Sequence, residues 1–355
     1  MSSEQLGLVG VESFAPEEKA GWYSAMEQYW HSVAYGKDLR EDRPLPATLL
    51  GRRLVLVRQG SNVHAFSDIC RHRGSAVSLG WIENGCLVCP YHGWEYDMEG
   101  RVVRIPSRPE LSGVFEAQLD RYPCREAGGM IWVSLIDDPW GEVPQLPQWN
   151  DPTVRWQTPE AYDWKTSVPR RIENFVDFSH FPYVHENILG TRDRPEIEDH
   201  DVWREGSVLR FVHWPVEPNE DRMKELLELE DKIITVENQY YLTMPSTILL
   251  ERIFPNGRRY ILFVSSSPTG PDTCRNFWHI GSDFTQDLED DAYFFNFEDR
   301  VLAQDKPIVE SQLPEKLPDV LNAEMYVKVA DSVTLKYRQW LLQLADNYRK
   351  SKSKV

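Results

Sequence analysis

The chain has 355 residues, 41% of them hydrophobic and 12% aromatic, with a formal net charge of −17 at pH 7. It is long enough for two cores of ordinary domain size and too apolar for a disordered polymer. The negative field speaks against nucleic-acid binding, and no apolar run approaches the roughly 18 residues of a membrane span. Met1–Gly10 lacks the basic-then-apolar pattern of a secretory signal, so the expected location is the cytoplasm.

In chain order, the stretch from Gly21 through Val33 reads as a short helix. Arg53–Val57, Val63–Phe66 and Gly129–Val133 are short apolar runs separated by turn residues, the pattern of small antiparallel sheets. A Pro- and Gly-rich stretch over 138–152 reads as a linker between domains. Beyond it, segments near 201–214, 233–251 and 258–267 read as strands, and 170–181, 220–230 and 285–305 as helices. A terminal helix follows from Ser332 as N-cap. Long strands with a few separated helices predict an α+β domain built on an antiparallel sheet.

Five cysteines, Cys70, Cys86, Cys89, Cys124 and Cys274, are an odd number and make no disulfide framework in a chain of this size. Reduced thiols are available as metal ligands. Cys70-Arg71-His72 and Cys89-Pro90-Tyr91-His92-Gly93-Trp94 spell C-x-H, 16 intervening residues, then C-x-x-H. Two thiolates and two imidazoles on two tight turns can hold a [2Fe–2S] cluster, with the cysteines on one iron and the histidines on the other. Gly74, Gly80, Gly85 and Gly93 suit such turns. The competing reading is a structural zinc site using Cys86, Cys89, Cys70 and His72. C-x-H is an uncommon zinc arm, and His92 would be left over. Coincidence is a poor explanation, since four such residues at fixed positions are expected on the order of 10⁻⁴ times or fewer. The motif resembles the Rieske domain of ring-hydroxylating and demethylating oxygenases.

Downstream, Arg171 to His185 reads R-I-E-N-F-V-D-F-S-H-F-P-Y-V-H. Two histidines with one later carboxylate form the facial triad of non-haem iron(II) oxygenases. On an unbroken helix His180 and His185 would point about 140° apart, so the spacing requires a break, assigned to Pro182. Two unrelated histidines in an aromatic core would give the same string. With Gln304-Asp305-Lys306-Pro307-Ile308-Val309-Glu310-Ser311-Gln312 further on, the order of motifs resembles Rieske non-haem iron oxygenases over about residues 25–345. The flavour is that of methylxanthine N-demethylases and vanillate O-demethylase.

That resemblance implies an N-terminal segment over 1–45 packed on the catalytic domain, a small antiparallel-β Rieske domain over 46–150, and a helix-grip catalytic domain over 151–355. It implies that Cys70, His72, Cys89 and His92 hold one [2Fe–2S] cluster. His180, His185 and Asp305 would then ligate a mononuclear iron(II), with Glu298, Asp299 and Glu310 as acidic rivals to Asp305. Asp177 would be the carboxylate joining His92 of one chain to His180 of the next, which requires an oligomer, expected to be a homotrimer. Imidazole ligands are oriented through their second nitrogen, so a carboxylate between two rings couples two metal sites. Asn174 would sit beside the iron without binding it, or serve as a helix-surface amide.

Glu298, seven residues before Asp305, faces nearly the same way on one helix and would point into the substrate chamber or into solvent. The segment 221–229 reads as a lid or as an ordinary amphipathic surface helix. Trp203, His213, Trp214, Tyr240 and Met244 are pocket candidates, explained equally by strand packing.

The expected function is the terminal oxygenase component of a multicomponent system, with O2 as cosubstrate and a small cyclic or aromatic substrate. Monooxygenation or oxidative N- or O-demethylation is favoured, with cis-dihydroxylation as the alternative. The chain carries no Gly-rich nucleotide fingerprint and no plant-type ferredoxin cysteines. Electrons from NAD(P)H would therefore arrive through a separate flavin/iron–sulfur reductase or ferredoxin. Two non-catalytic classes compete: a Rieske electron carrier, which needs no second metal motif, and a zinc-stapled ligand-binding protein.

Overall fold

The structure is a computed structural model that describes residues 21–112, 117–285 and 287–353. The reading of Met1–Gly10 lies outside the described residues, as do residues 11–20 of the expected N-terminal segment. The chain divides into two compact units, one of residues 27–145 with 267–271, the other of residues 21–26, 146–266 and 272–353. Residues 27–45, read as part of an N-terminal segment, lie in the smaller unit and give it the strand His31–Tyr35.

The smaller unit contains three antiparallel sheets among the described residues. One joins His31–Tyr35, Met130–Val133 and Cys124–Ala127. The helix expected through Val33 stops at Ala25, because His31–Tyr35 is buried at every position and pairs with Met130–Val133. Such an uninterrupted buried run suits a strand covered on both faces. A second sheet orders Leu45–Leu49, Arg52–Gln59, Asn62–Ser67 and Arg121–Tyr122. The third orders Trp81–Glu83, Cys86–Val88, Glu95–Tyr96 and Val102–Arg104. Its core includes Val55, Val57, Phe66, Val77, Leu87, Tyr96 and, among these apolar side chains, the thiols of Cys70 and Cys89.

The larger unit carries six helices among the described residues: α1 (Gly21–Ala25), α2 (Val168–Val176), α3 (Phe181–Val184), α4 (Asp221–Leu227), α5 (Leu288–Val309) and α6 (Ser332–Lys352). The N-cap of α6 is Asp331, one residue before the expected Ser332. An eight-stranded antiparallel sheet runs Arg155–Gln157, Cys274–Ser282, Arg259–Pro268, Thr247–Ile253, Glu237–Thr243, Val208–His213, Val202–Glu205, with Tyr162–Trp164 also on Cys274–Ser282. The strand Cys274–Ser282 escaped the sequence reading because Arg275, Asn276 and Gly281 interrupt its apolar pattern. The unit is therefore α+β, as expected. No helix among the described residues is long and apolar enough to cross a membrane.

Helix α5 begins at Asp287, whose carboxylate accepts from the amides of Glu289 and Asp290, a regular N-cap. It lies on the sheet through Phe294 against Tyr260, with ring centroids 4.9 Å apart, and through the Arg155–Asp291 ion pair at 2.6 Å. The same-face residues of neighbouring strands meet in two rungs. One is His213, Asn238, Arg252 and Tyr260; the next is Phe211, Tyr240, Leu250 and Leu262. The strand period of two puts both rungs on one face of the sheet, the first polar and the second largely apolar.

Gly80 leads into the strand Trp81–Glu83, and a Cβ there would lie 1.8 Å from the carbonyl oxygen of Val88. Backbone cannot give way as a side chain can, so Gly80→Ala must push apart the strands that lead into Cys89. The expected outcome is a loss of about 2 kcal/mol or more of unfolding free energy in a denaturant titration followed by near-UV circular dichroism. An unchanged midpoint would contradict this packing.

Candidate metal centres

In the smaller unit the two cysteine motifs form duplicate loops. Gly74 N–H donates to Cys70 O at 2.8 Å and Gly93 N–H to Cys89 O at 3.0 Å. Cys70 N–H in turn donates to Ser75 O and Cys89 N–H to Trp94 O, at 2.9 and 2.8 Å. Gly74 and Gly93 sit at φ of 70° and 65°, the left-handed region that glycine adopts without penalty. Each loop thus repeats a C-x-x-x-G turn, with its histidine at the second or third position.

The turns bring the ligand candidates together. His72 Nδ1 and His92 Nδ1 lie 3.2 Å apart. Cys70 Sγ is 3.1 Å from the Tyr96 hydroxyl, and Cys89 Sγ is 3.3 Å from the Ser75 hydroxyl. Burial pushes the Cys70 thiol up. Cys89 is also buried, but the Ser75 hydroxyl and the amides of Tyr91 and His92 outweigh that and draw it down. Hydroxyls and backbone amides aimed at sulfur stabilise thiolate ligands and tune an iron–sulfur cluster. Cys86, the fourth candidate of the zinc reading, lies on the strand Cys86–Val88 and outside this constellation. The two sulfurs are buried while His92 is exposed, so the imidazole side is the one open to an electron partner.

In the larger unit, α2 ends at Val176 and Asp177 takes an extended conformation. The break therefore comes at Asp177, four residues earlier than Phe181. Pro182 does not end a helix but stands in the first turn of α3, where its missing N–H costs nothing. His180 and His185 flank that single turn from outside, and so escape the 140° offset of a continuous helix. Their ring centroids lie 5.1 Å apart.

Each imidazole is held through Nδ1. His180 Nδ1 is 3.3 Å from Asp177 Oδ2, and His185 Nδ1 is 2.9 Å from Gln304 Oε1. The opposite nitrogens converge on Asp305 of α5, at 3.4 Å from His180 Nε2 and 2.9 Å from His185 Nε2 to Oδ1. These spacings are short enough for hydrogen bonds, yet all three atoms are buried and none has a partner with hydrogen-bond geometry. Their three ligand atoms lie within 4.8 Å of one another. Buried polar atoms left unpaired each cost about 1–3 kcal/mol, and a divalent cation among them removes that cost.

Charge agrees with this fit. Burial pulls His180 down, but the carboxylates of Asp177 and Asp305 outweigh it and raise the imidazole to about 9. Burial likewise opposes ionisation of Asp305, yet the two imidazoles hold its carboxyl well below the usual range. The site favours positive charge, and a metal ion competes with the proton for the same nitrogens. The acidic rivals point elsewhere: Asp299 is exposed, and Glu310 accepts from the amide of Lys165 at 2.8 Å.

A cavity opens on this centre. Phe175, Phe181, Leu250, Leu262 and Val301 give it apolar walls, and Asn174, Asn238, Arg252, Glu217 and Glu298 add polar groups. Asn174 accepts from Arg171 at 2.9 Å. Tyr240 lines the cavity, whereas His213 and Trp214 line an adjoining groove, Met244 is packed in the core and Trp203 is exposed. Helix α4, read as a lid or as an ordinary surface helix, is tied to α5 by Arg222 and Asp290 at 2.6 Å.

Gln304, Asn238, Arg252, Tyr260 and Glu217 were missed in the sequence. Only Gln304 gave a signal, as the residue next to Asp305; the others become neighbours through strand register.

Comparison with known proteins follows the same division. Residues 29–123 match the Rieske [2Fe-2S] domain, and residues 164–347 match the vanillate O-demethylase oxygenase C-terminal domain. Methylxanthine N1-demethylase NdmA of Pseudomonas putida is 32% identical over 333 residues, spanning 91% of this chain and 90% of that protein. Methylxanthine N3-demethylase NdmB of the same organism is 30% identical over 331 residues, 90% of each. The solved structure of Pseudomonas putida CBB5 NdmA with caffeine superposes with a TM-score of 0.81 at 31% identity, covering 93% of this chain and 94% of that one. Dicamba monooxygenase bound to dicamba, at 21% identity, shares the fold with a TM-score of 0.73 over 92% of this chain and 99% of that one.

A Rieske unit followed by an antiparallel-sheet unit with a buried two-histidine, one-carboxylate centre defines an iron–sulfur oxidoreductase. The chain belongs to the Rieske non-haem iron oxygenases.

Removing the amide behind His185 leaves that ring free to turn away. Gln304→Leu is therefore expected to weaken cobalt(II) or iron(II) binding roughly 10- to 100-fold in a metal titration, with the visible spectrum of the Rieske unit unchanged. Unaltered affinity would contradict the orienting role.

Proposed function

We propose that the chain is a terminal oxygenase that holds a mononuclear iron(II) at His180, His185 and Asp305 and a [2Fe–2S] cluster at Cys70, His72, Cys89 and His92. The supporting observation is the convergence of three buried, unpaired ligand atoms at a largely apolar cavity. Bound there, the iron would supply oxygen activation with O2 as cosubstrate, and the cluster would supply electrons. The chain's own residues orient and exclude. Gln304 and Asp177 aim the imidazoles, and the cavity beside them would receive the substrate. Phe175, Phe181 and Leu262 give that cavity apolar walls that would disfavour bulk water.

Asp177 is the proposed link between the two centres of different copies. Its side chain is one-third exposed while it holds His180, so a second copy's His92 has room to reach it. This reading requires an oligomer, for which we propose a homotrimer. Electrons would come from NAD(P)H through a separate flavin/iron–sulfur reductase or ferredoxin, since the chain has no nucleotide-binding fingerprint of its own.

Among outcomes, oxidative demethylation or monooxygenation of a small cyclic or aromatic compound is favoured over cis-dihydroxylation. The two relatives matched along nine-tenths of their length are N-demethylases by name. Hydroxylating an N-methyl or O-methyl carbon gives a hemiaminal or hemiacetal that releases formaldehyde. With a surrogate reductase and a panel of N-methyl, O-methyl and unsubstituted aromatic compounds, the expected result is formaldehyde from methylated members. Asp305→Ala should lose it at least about 100-fold. Cis-diols as the sole products, or turnover that survives Asp305→Ala, would contradict the proposal.

A further inference from the structure

Three spaces in the larger unit meet at one side chain. The cavity over the His180–His185–Asp305 centre has a volume of about 90 Å³. An outer groove of about 290 Å³ shares Phe181, Leu189 and Pro215 with it. An inner chamber of about 40 Å³, lined by Met223 of α4 and by Phe254, Phe294 and Phe297, adjoins it as well. Among the described residues, Leu189 alone lines all three.

A dry cavity of roughly 150 Å³ accommodates benzene, so the space over the centre is too small for an aromatic ring until a wall yields. Of the three residues between cavity and groove, Phe181 is wedged among aromatic rings. Its centroid lies 5.9, 4.9 and 6.0 Å from those of Phe178, His180 and His185. The side chain of Pro215 is closed on its own backbone, and its carbonyl accepts from Val236 N–H at 3.1 Å.

The turn that carries Leu189 is fixed too. The amides of Ile188 and Leu189 donate to His185 O at 2.9 and 3.0 Å, and Asn187 N–H donates to Gly190 O at 2.8 Å. A Cβ on Gly190 would lie 3.1 Å from Pro182 N, so this backbone is packed closely on α3. What remains free to move is the Leu189 side chain, by rotation between staggered rotamers. The inner chamber gives it an apolar place to go, since that volume holds roughly three water-sized groups.

We infer that Leu189 is the gate on the substrate's route: an uncharged aromatic molecule enters through the groove, and the Leu189 side chain swings into the inner chamber to admit it. The inference rests on the oxygenase reading, since it takes the centre at the end of the route to hold iron. A gate changes the rates of entry and exit together and leaves the affinity of the centre for its metal unchanged.

The test follows capture of the mononuclear iron by bipyridine in the anaerobic holoenzyme. This two-ring chelator is uncharged, which suits a groove that carries Glu196, Glu198 and Asp199. Leu189→Ala should speed capture at least about 5-fold, and Leu189→Phe should slow it at least about 5-fold, both with unchanged iron affinity. Trp214 is half-exposed and lines the groove but not the cavity. Trp214→Cys tagged with pyrene maleimide should therefore capture at least about 5-fold more slowly than the same variant untagged, while the reagent leaves the wild type unaffected. The visible spectrum of the Rieske unit reports folding, and the tagged-against-untagged comparison uses one folded protein should a Leu189 variant fail to fold. Rates indifferent to both Leu189 variants, rate changes matched by changes in iron affinity, or a tag without effect would each overturn the inference. Iron is counted on the same samples. Fewer than three irons per wild-type chain defeats the oxygenase reading, whereas three irons with capture indifferent to Leu189 and to the tag defeats this one.

Discussion

Two histidine nitrogens and one carboxylate oxygen, all buried and all without hydrogen-bond partners, meet in the larger unit. Three such atoms at close range are costly until a metal ion or a shared proton sits among them. The local architecture serves that meeting. Helix α2 stops at Val176 so that Asp177 can turn back on His180. Helix α3 is one turn long, which places His180 and His185 on the same side. Helix α5 delivers Asp305 from more than a hundred residues away, together with Gln304 as a brace for His185.

The same constraint explains the cavity. With Asp305 of α5 held against the two imidazoles, the two turns before it face the sheet, and Glu298 is carried onto the polar rung at Tyr260. The sheet answers with alternating rungs. His213, Asn238, Arg252 and Tyr260 are polar, while Phe211, Tyr240, Leu250 and Leu262 are apolar. A strand shifted by one residue would turn this face away from the cavity, removing Asn238 or Arg252 with it. The polar lining of the cavity is therefore set by strand register, whereas the proposed chemistry is set by the turn around α3 and by α5. In the smaller unit the repeated C-x-x-x-G turns perform the comparable task, fixing two sulfurs inside and one imidazole at the surface.

The metal motifs were legible because ligand chemistry demands particular residue types at short, fixed spacing. Cys70, His72, Cys89 and His92 each lie within one turn of a partner, so the chain order alone pairs them. His180 and His185 were legible for the same reason, although the break was assigned to Pro182 when Asp177 makes it. Asp305 could not be separated from Glu298, Asp299 and Glu310 by sequence, since all are acids on or just past one helix; exposure sets Asp299 aside, the Lys165 amide sets Glu310 aside, and the Tyr260 hydroxyl sets Glu298 aside. The helix expected through Val33 failed because burial on both faces erases the alternation that marks a strand. Arg252, Glu217 and Asn238 come together only through pairing across the sheet, a long-range relation that no local pattern encodes.

The central claim is that one chain carries two distinct iron centres, and metal stoichiometry on anaerobically purified protein tests it most directly. The account predicts three irons per chain, a red-brown visible spectrum, and a fall to two irons with that spectrum intact in His180→Ala. Colourless protein containing zinc, or a wild-type chain that holds two irons and loses none in His180→Ala, would contradict it.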